Sequence, residues 1–207
     1  MSAAPTGGVL LKCALRAPSS PAFQRSVGEL AKKRLPLADS AAAHAALELE
    51  ETYLYLFSRE PGAITAAVLS TLVEAAAGLP ELKGVKIATA KLLPLFDVAG
   101  ASHGEAAPFH YVVEMDIVPE HEADLNAWYD EEHMPGLAAC PGSVRARRFR
   151  NPEGSPRYHS CYDLARTETL GSPPWLAVRY TKWSDRVRPH FRNAKRTMFR
   201  RLFELAL

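Results

Sequence analysis

Apolar and polar positions along the chain fall into two successive runs of the same kind. In the first, residues 9–17 read as a strand that ends at Pro18, and residues 21–34 read as a helix halted by Pro36. Residues 45–50 and 52–58 predict two strands with little between them, the second rich in aromatics at Tyr53, Tyr55 and Phe57. A helix over 63–77 follows, with Gly78 as its stop and Pro80 just beyond, and a strand over 85–93 closes the run. The order is β-α-β-β-α-β.

Residues 98–108 are rich in Gly, Ala and Ser without apolar periodicity and read as a linker. The pattern then restarts. Residues 109–118 predict a strand ending at Pro119, and 120–134 a helix with Glu120 and Glu122 in its first turn, where carboxylates suit the positive end of the helix dipole. Pro135-Gly136 is expected to close it. Residues 144–150 and 157–164 form a hairpin around Asn151-Pro152-Glu153-Gly154-Ser155, and 167–193 hold a second helix interrupted by Pro173, Pro174 and Pro189. A strand over 197–205 ends the run. Residues 9–97 and 109–205 are thus two ferredoxin-like repeats joined by a linker at 98–108. Such a sheet has one face covered by helices and one bare, and covering two bare faces with each other removes apolar surface from water. The expected fold class is α+β, an intramolecular version of the dimeric α+β barrel.

Composition changes this picture in one respect. The net charge of +2 conceals an asymmetry: from Arg145 onward there are fifteen Lys/Arg against five Asp/Glu, and before it ten against eighteen. The basic block reads as a solvated face or as an anion-attracting rim of a pocket. The block is also the best case for a nucleic-acid partner, but the aromatic pattern of an RNA-binding sheet is missing, so that partner is disfavoured. Cys13, Cys140 and Cys161 are odd in number and widely spaced, which suits a reducing, cytoplasmic compartment and neither a disulfide scaffold nor a zinc ribbon. No stretch has the length and apolarity of a membrane span or signal.

The segment Asp116-Ile117-Val118-Pro119-Glu120, with Asn126-Ala127-Trp128-Tyr129-Asp130-Glu131-Glu132-His133-Met134-Pro135-Gly136, resembles the EthD-like branch of the dimeric α+β-barrel superfamily. Arg145-Ala146-Arg147-Arg148-Phe149, Ser155-Pro156-Arg157-Tyr158 and Tyr162-Asp163-Leu164 extend the likeness over roughly residues 109–205. The first repeat keeps the topology without the motif, with Arg34 where His133 would stand and Glu29-Leu30 where Trp128-Tyr129 would. The resemblance implies that the first half is a degenerate partner and the second holds the site. Relatives in the superfamily include muconolactone-type isomerases, polyketide cyclases, decarboxylases of aromatic polyketides and cofactor-independent monooxygenases, among which fold alone does not choose.

Within 120–134, Trp128, Tyr129 and His133 share one helical face. A histidine in a last helical turn near Asp130 would have a raised pKa and suit acid–base work, or it would only bond its own helix's terminal carbonyls. Trp128 and Tyr129 fit core as well as pocket, Tyr129 having the polar tip that reaches a ligand. In 109–118, His110, Glu114 and Asp116 alternate with apolar residues, which fits an acid–base face or a solvated one. His159 stands where an apolar residue is expected and could line the same cavity as His133. No metal-ligand spacing, dinucleotide loop, phosphate loop or Ser-hydrolase elbow occurs, so neither metal nor organic cofactor is expected.

These residues suggest a cofactor-free isomerase, cyclase or lyase acting by proton transfer on a small hydrophobic lactone or aromatic substrate, for which the basic rim would favour an anion such as a carboxylate or phenolate, with His133 as acid–base residue. Tyr129, Asp130 or Asp116 would position it or the substrate, and Trp128, His159, His110 and Glu114 would bind substrate. A non-catalytic small-molecule binder with the same fold is the alternative, and a homo-oligomer is compatible with either.

Overall fold

The computed structural model describes residues 6–207. The chain is α+β, and its eight strands are Gly7–Cys13 (β1), Ala38–Ala46 (β2), Thr52–Ser58 (β3), Ile87–Ala99 (β4), Phe109–Ile117 (β5), Ser143–Arg150 (β6), Tyr158–Leu164 (β7) and Phe191–Ala206 (β8). Their hydrogen-bonded order is β1-β3-β2-β8-β5-β7-β6-β4, closing back on β1, the strand order of an α+β barrel. Two compact units result: the chain up to Pro94 together with Phe199–Leu207, and Leu95–Met198. Each has the β-α-β-β-α-β order, and the long strands β4 and β8 contribute residues to both.

In the first unit the helices are Pro21–Arg34 (α1) and Ala66–Ala77 (α2). α1 starts where Ser20 accepts a hydrogen bond from the Phe23 N–H with Pro21 in the first turn, and ends on Lys32, Lys33 and Arg34, which suit the negative end of the dipole. Its inner face packs Phe23, Val27 and Leu30 onto Val9, Leu11, Leu54 and Leu56 in an apolar core. β2 lies at Ala38–Ala46, not at the expected 45–50. Its run of alanines has weak strand propensity by itself, and pairing with β3 on one side and residues 199–206 of β8 on the other supplies what propensity lacks.

In the second unit, Glu122–Trp128 (α3) runs through a π-helical turn at Tyr129–His133 into Met134–Ala138 (α4). The expected stop at Pro135-Gly136 is therefore overturned. In the widened turn the Met134 N–H reaches back five residues to the Tyr129 carbonyl, which makes room for a proline ring that would otherwise press on the preceding turn. Gly136 is needed for another reason: a Cβ there would lie 2.8 Å from the Val178 side chain, so α4 approaches the next helix closely only without one. The second helical region is Pro173–Arg179 (α5) and Lys182–Val187 (α6); Pro173 and Pro174 open it and Pro189 follows it, but the break within it falls at Tyr180–Thr181, where no proline stands and Thr181 caps α6. β6 and β7 form the expected hairpin, and β7 pairs antiparallel with β5, with Tyr111 opposite Tyr162 and Glu114 opposite His159. No helix among the described residues is long and apolar enough to cross a membrane. All three cysteines are buried free thiols, and burial pushes Cys13 up to about 12.

Candidate functional site

The helix-facing side of the second unit's sheet carries Tyr111, Val113 and Met115 from β5 and Tyr158 and Tyr162 from β7. Over it lies the face of α3 and the π turn that presents Trp128, Tyr129 and His133. A small cavity remains here, about 30 Å³, lined by Tyr111, Trp128, Tyr129, His133, Trp175 and Phe191, and also by Val113, Leu137 and Tyr162. Three cations complete the wall: Arg179 at the end of α5, Arg188 just after α6, and Arg196 on β8. No carboxylate lines it.

His133 stacks on the Trp128 indole, with ring centroids 4.1 Å apart, and meets the Tyr129 ring edge-on at 5.3 Å. Its buried Nδ1 has no hydrogen-bond partner among the described residues. Burial first, then the charges of Arg188, Arg179 and Arg148, hold its pKa down at about 3. This reverses the raised value expected from a helix terminus: the helix continues to Ala138, so His133 neither caps carbonyls nor sits at the dipole's negative end. At neutral pH the imidazole is uncharged. Tyr129 is fully enclosed, its hydroxyl 3.9 Å from the Met115 sulfur, and burial raises its pKa although Arg148 works against it. Tyr111 is likewise pushed up by burial, opposed by Arg196 and Arg179. Trp128 donates from Nε1 to Glu132 Oε1 at 3.0 Å, and the Thr181 hydroxyl donates to the same oxygen at 2.5 Å. That carboxylate thereby ties the π turn to the start of α6.

Beneath the aromatic floor lies Arg148 of β6, wholly buried, its guanidinium 4.2 Å from the Tyr129 ring centroid and 4.5 Å from that of Tyr158. It donates to Asn126 Oδ1 at 2.8 Å, and Asp130 stands 3.7 Å from it. Asp130 is half-exposed and outside the cavity lining, so its place is beside Arg148 and not beside a substrate. Asp116 is also elsewhere. It accepts from Ser155 Oγ, the Arg157 N–H and Asn193 Nδ2, pinning the β6–β7 turn to the end of β5. Burial would raise its pKa, but the bonds from Asn193, Ser155 and Arg157 outweigh it and the net shift is downward.

His159, His110 and Glu114 lie on the opposite face of the sheet from His133, because side chains alternate along β5 and β7. His159 therefore does not share the cavity. All three are buried, each histidine beside a carboxylate. His110 Nδ1 is 2.7 Å from Asp163 Oδ1, Arg147 donates to Asp163 Oδ2 at 3.1 Å, and His159 Nδ1 is 3.2 Å from Glu114 Oε1. Neither solvent nor the cavity explains that polar face; pairing does. Of the eight residues singled out in the sequence, the cavity brings together His133, Tyr129 and Trp128. Arg179, Arg188, Arg196, Trp175 and Phe191 were not singled out individually, and the basic block that contains the arginines was their one visible signal. Among the described residues no group of histidine, cysteine and carboxylate side chains could hold a metal ion.

No family model and no curated protein sequence matches the chain. Solved structures do. A candidate monooxygenase from Fusobacterium nucleatum shares 9% identity at a TM-score of 0.66, covering 100% of this chain and 99% of its own. One from Lactobacillus acidophilus NCFM shares 12% identity at 0.62, over 98% and 100% of the two chains. An anthrone oxidase-like protein shares 15% identity at 0.60, over 100% and 95%. At these identities the likeness is one of fold, and that fold is the dimeric α+β barrel in a single chain.

Proposed function

We propose that the chain is a member of the EthD-like branch and catalyses proton transfer on a small hydrophobic, anionic aromatic or lactone substrate, in an isomerisation, cyclisation or decarboxylation. The observation that carries this reading is the placement of a neutral imidazole, His133, on the wall of an aromatic cavity that holds three arginines and no carboxylate. A neutral imidazole has a lone pair free to accept a proton. The negative charge that then develops on an enolate or phenolate oxygen meets arginine N–H donors already in place, which is how preorganised sites lower such barriers. Tyr129 and Trp128 hold the ring, and Asp130 acts only through Arg148. A bound anion would also oppose the arginine charges that hold His133 down, so the base gains strength when substrate is present.

A non-catalytic small-molecule binder is the second reading, favoured by the cavity's size: about 30 Å³ holds about one or two waters, so any substrate must displace side chains to enter. Proton exchange in deuterated buffer separates the two. 2-Tetralone and 1-hydroxy-2-naphthoate are incubated with the protein and followed by NMR, with melting temperature measured in parallel. Enzyme-dependent exchange that disappears in His133→Ala supports catalysis. A melting shift without exchange selects the binder, and neither effect with any aromatic or lactone probe overturns both readings.

A further inference from the structure

Arg179, Arg188 and Arg196 come from different elements, the ends of α5 and α6 and the strand β8, yet face one cavity. Like charges gathered this way repel. Arg188 is destabilised as a cation by burial and by Arg179 and Arg196, with Tyr180 and Asp185 acting the other way. Arg188 donates to the Arg179 main-chain oxygen at 3.4 Å, Arg179 hydrogen-bonds the Tyr111 side chain, and the buried Nε of Arg179 has no partner. None of the three forms an ion pair with a carboxylate among the described residues. Elsewhere in the same unit arginines do find acids: Arg145 with Asp97, Arg147 with Asp163, Arg157 with Glu122 and Arg186 with Asp124. An arrangement that concentrates cations against aromatic walls and withholds an internal counter-ion is complementary to an external one.

We infer that Arg179, Arg188 and Arg196 form the recognition site for a carboxylate attached directly to an aromatic ring, the ring lying against Trp175, Phe191 and Tyr111. A carboxylate fits the planar guanidinium fork with two parallel hydrogen bonds. The cavity wall is aromatic, which offers the ring of a flat mono-anion a surface that a hydrated tetrahedral phosphate cannot use; at about 30 Å³ either must displace side chains to enter. The inference rests on the proposed function only in taking this cavity as the working site; binding can succeed or fail whether or not a proton moves.

The test is calorimetric titration of the full chain with 1-naphthoate, its neutral isostere 1-naphthalenemethanol, and inorganic phosphate, at low and high salt. Naphthoate should bind at least about tenfold more tightly than the alcohol and weaken with salt. Arg179→Gln, Arg188→Gln and Arg196→Gln should each lose about ten- to a hundredfold in naphthoate affinity, while alcohol binding holds. Arg192→Gln, an exposed neighbour on β8 outside the cavity, is the control and should change nothing. Arg196 is exposed as well, so its variant reports on binding even where a more buried one fails to fold. Equal affinity for acid and alcohol, phosphate binding as tight as naphthoate, or naphthoate binding untouched by Arg196→Gln would each overturn the inference. Tight naphthoate binding with no proton exchange would leave it standing and remove the catalytic reading instead.

Discussion

The His133 imidazole rests on the Trp128 indole at 4.1 Å between ring centroids and 26° between planes, and Glu132 holds that indole in turn through its Nε1–H. The plate beneath the candidate base is thus fixed by a carboxylate that also receives the Thr181 hydroxyl. Trp128→Phe keeps an aromatic surface but removes this bond. It should cost about 1 kcal/mol in urea unfolding and lower kcat more than it changes KM, because the base is displaced and the arginines are not. A variant with unaltered kcat would show that the stack does not position His133.

Removing the imidazole should be cheap for the fold and expensive for turnover. His133→Ala deletes a ring whose Nδ1 has no partner but which stacks on Trp128, so stability should fall by only about 1 kcal/mol, while general acid–base catalysis typically contributes about 10² to 10⁴ in rate. Matched circular dichroism with lost exchange activity is the expected result. Loss of the folded state would assign His133 to the core.

Stability should fall as pH drops from about 6.5 toward 4.5. His133 is depressed to about 3 in the folded chain, so in this window the unfolded chain binds a proton that the folded one does not, and acid favours unfolding. The slope should not exceed about 1.4 kcal/mol per pH unit, and His133→Gln should flatten it. Asp116 and Glu122 are also lowered, but they act in a different range: their contribution is full above the ordinary carboxylate pKa and lost below it. Chemical denaturation of both proteins at several pH values separates the windows. An unchanged slope in His133→Gln would contradict the buried, neutral assignment.

Arg148 offers a contrast between charge and shape. Sandwiched between Tyr129 and Tyr158, it relies on a flat guanidinium, so Arg148→Lys should destabilise by about 2 kcal/mol. Arg148→Met should do less harm than Arg148→Ala, because it fills the space and removes the cost of a buried cation. Urea midpoints at constant m-value give the ranking, and a lysine variant as stable as the parent would refute it.

On the opposite face, Asp163 is shared by His110 and Arg147. Asp163→Ala should cost about 3 kcal/mol or more, since two buried basic groups lose the carboxylate they share. It should leave naphthoate affinity unchanged in the folded fraction, because its side chain points away from the cavity. A selective loss of ligand binding with normal stability would move that face into the site.

Much of this was legible along the chain, and the exceptions have physical causes. Ser20, Pro21 and Pro36 bracket α1 with signals that act within a few residues, and Asn151 to Ser155 demand a turn wherever they occur. β2 was misplaced because its alanines carry little preference of their own and are held by neighbouring strands. Pro135-Gly136 failed as a stop because a π turn absorbs the proline and a close contact with Val178 needs the glycine.

The sequence alone determined the order of elements, the double β-α-β-β-α-β pattern and the shared face of Trp128, Tyr129 and His133, all of which follow from local propensity and helical spacing. Tertiary structure decided the rest. It placed His159 behind the sheet, since pleat and register set which way a strand residue points. It also made His133 neutral, because a pKa depends on burial and on charges that arrive from Arg148, Arg179 and Arg188, residues on other elements that only folding brings beside it.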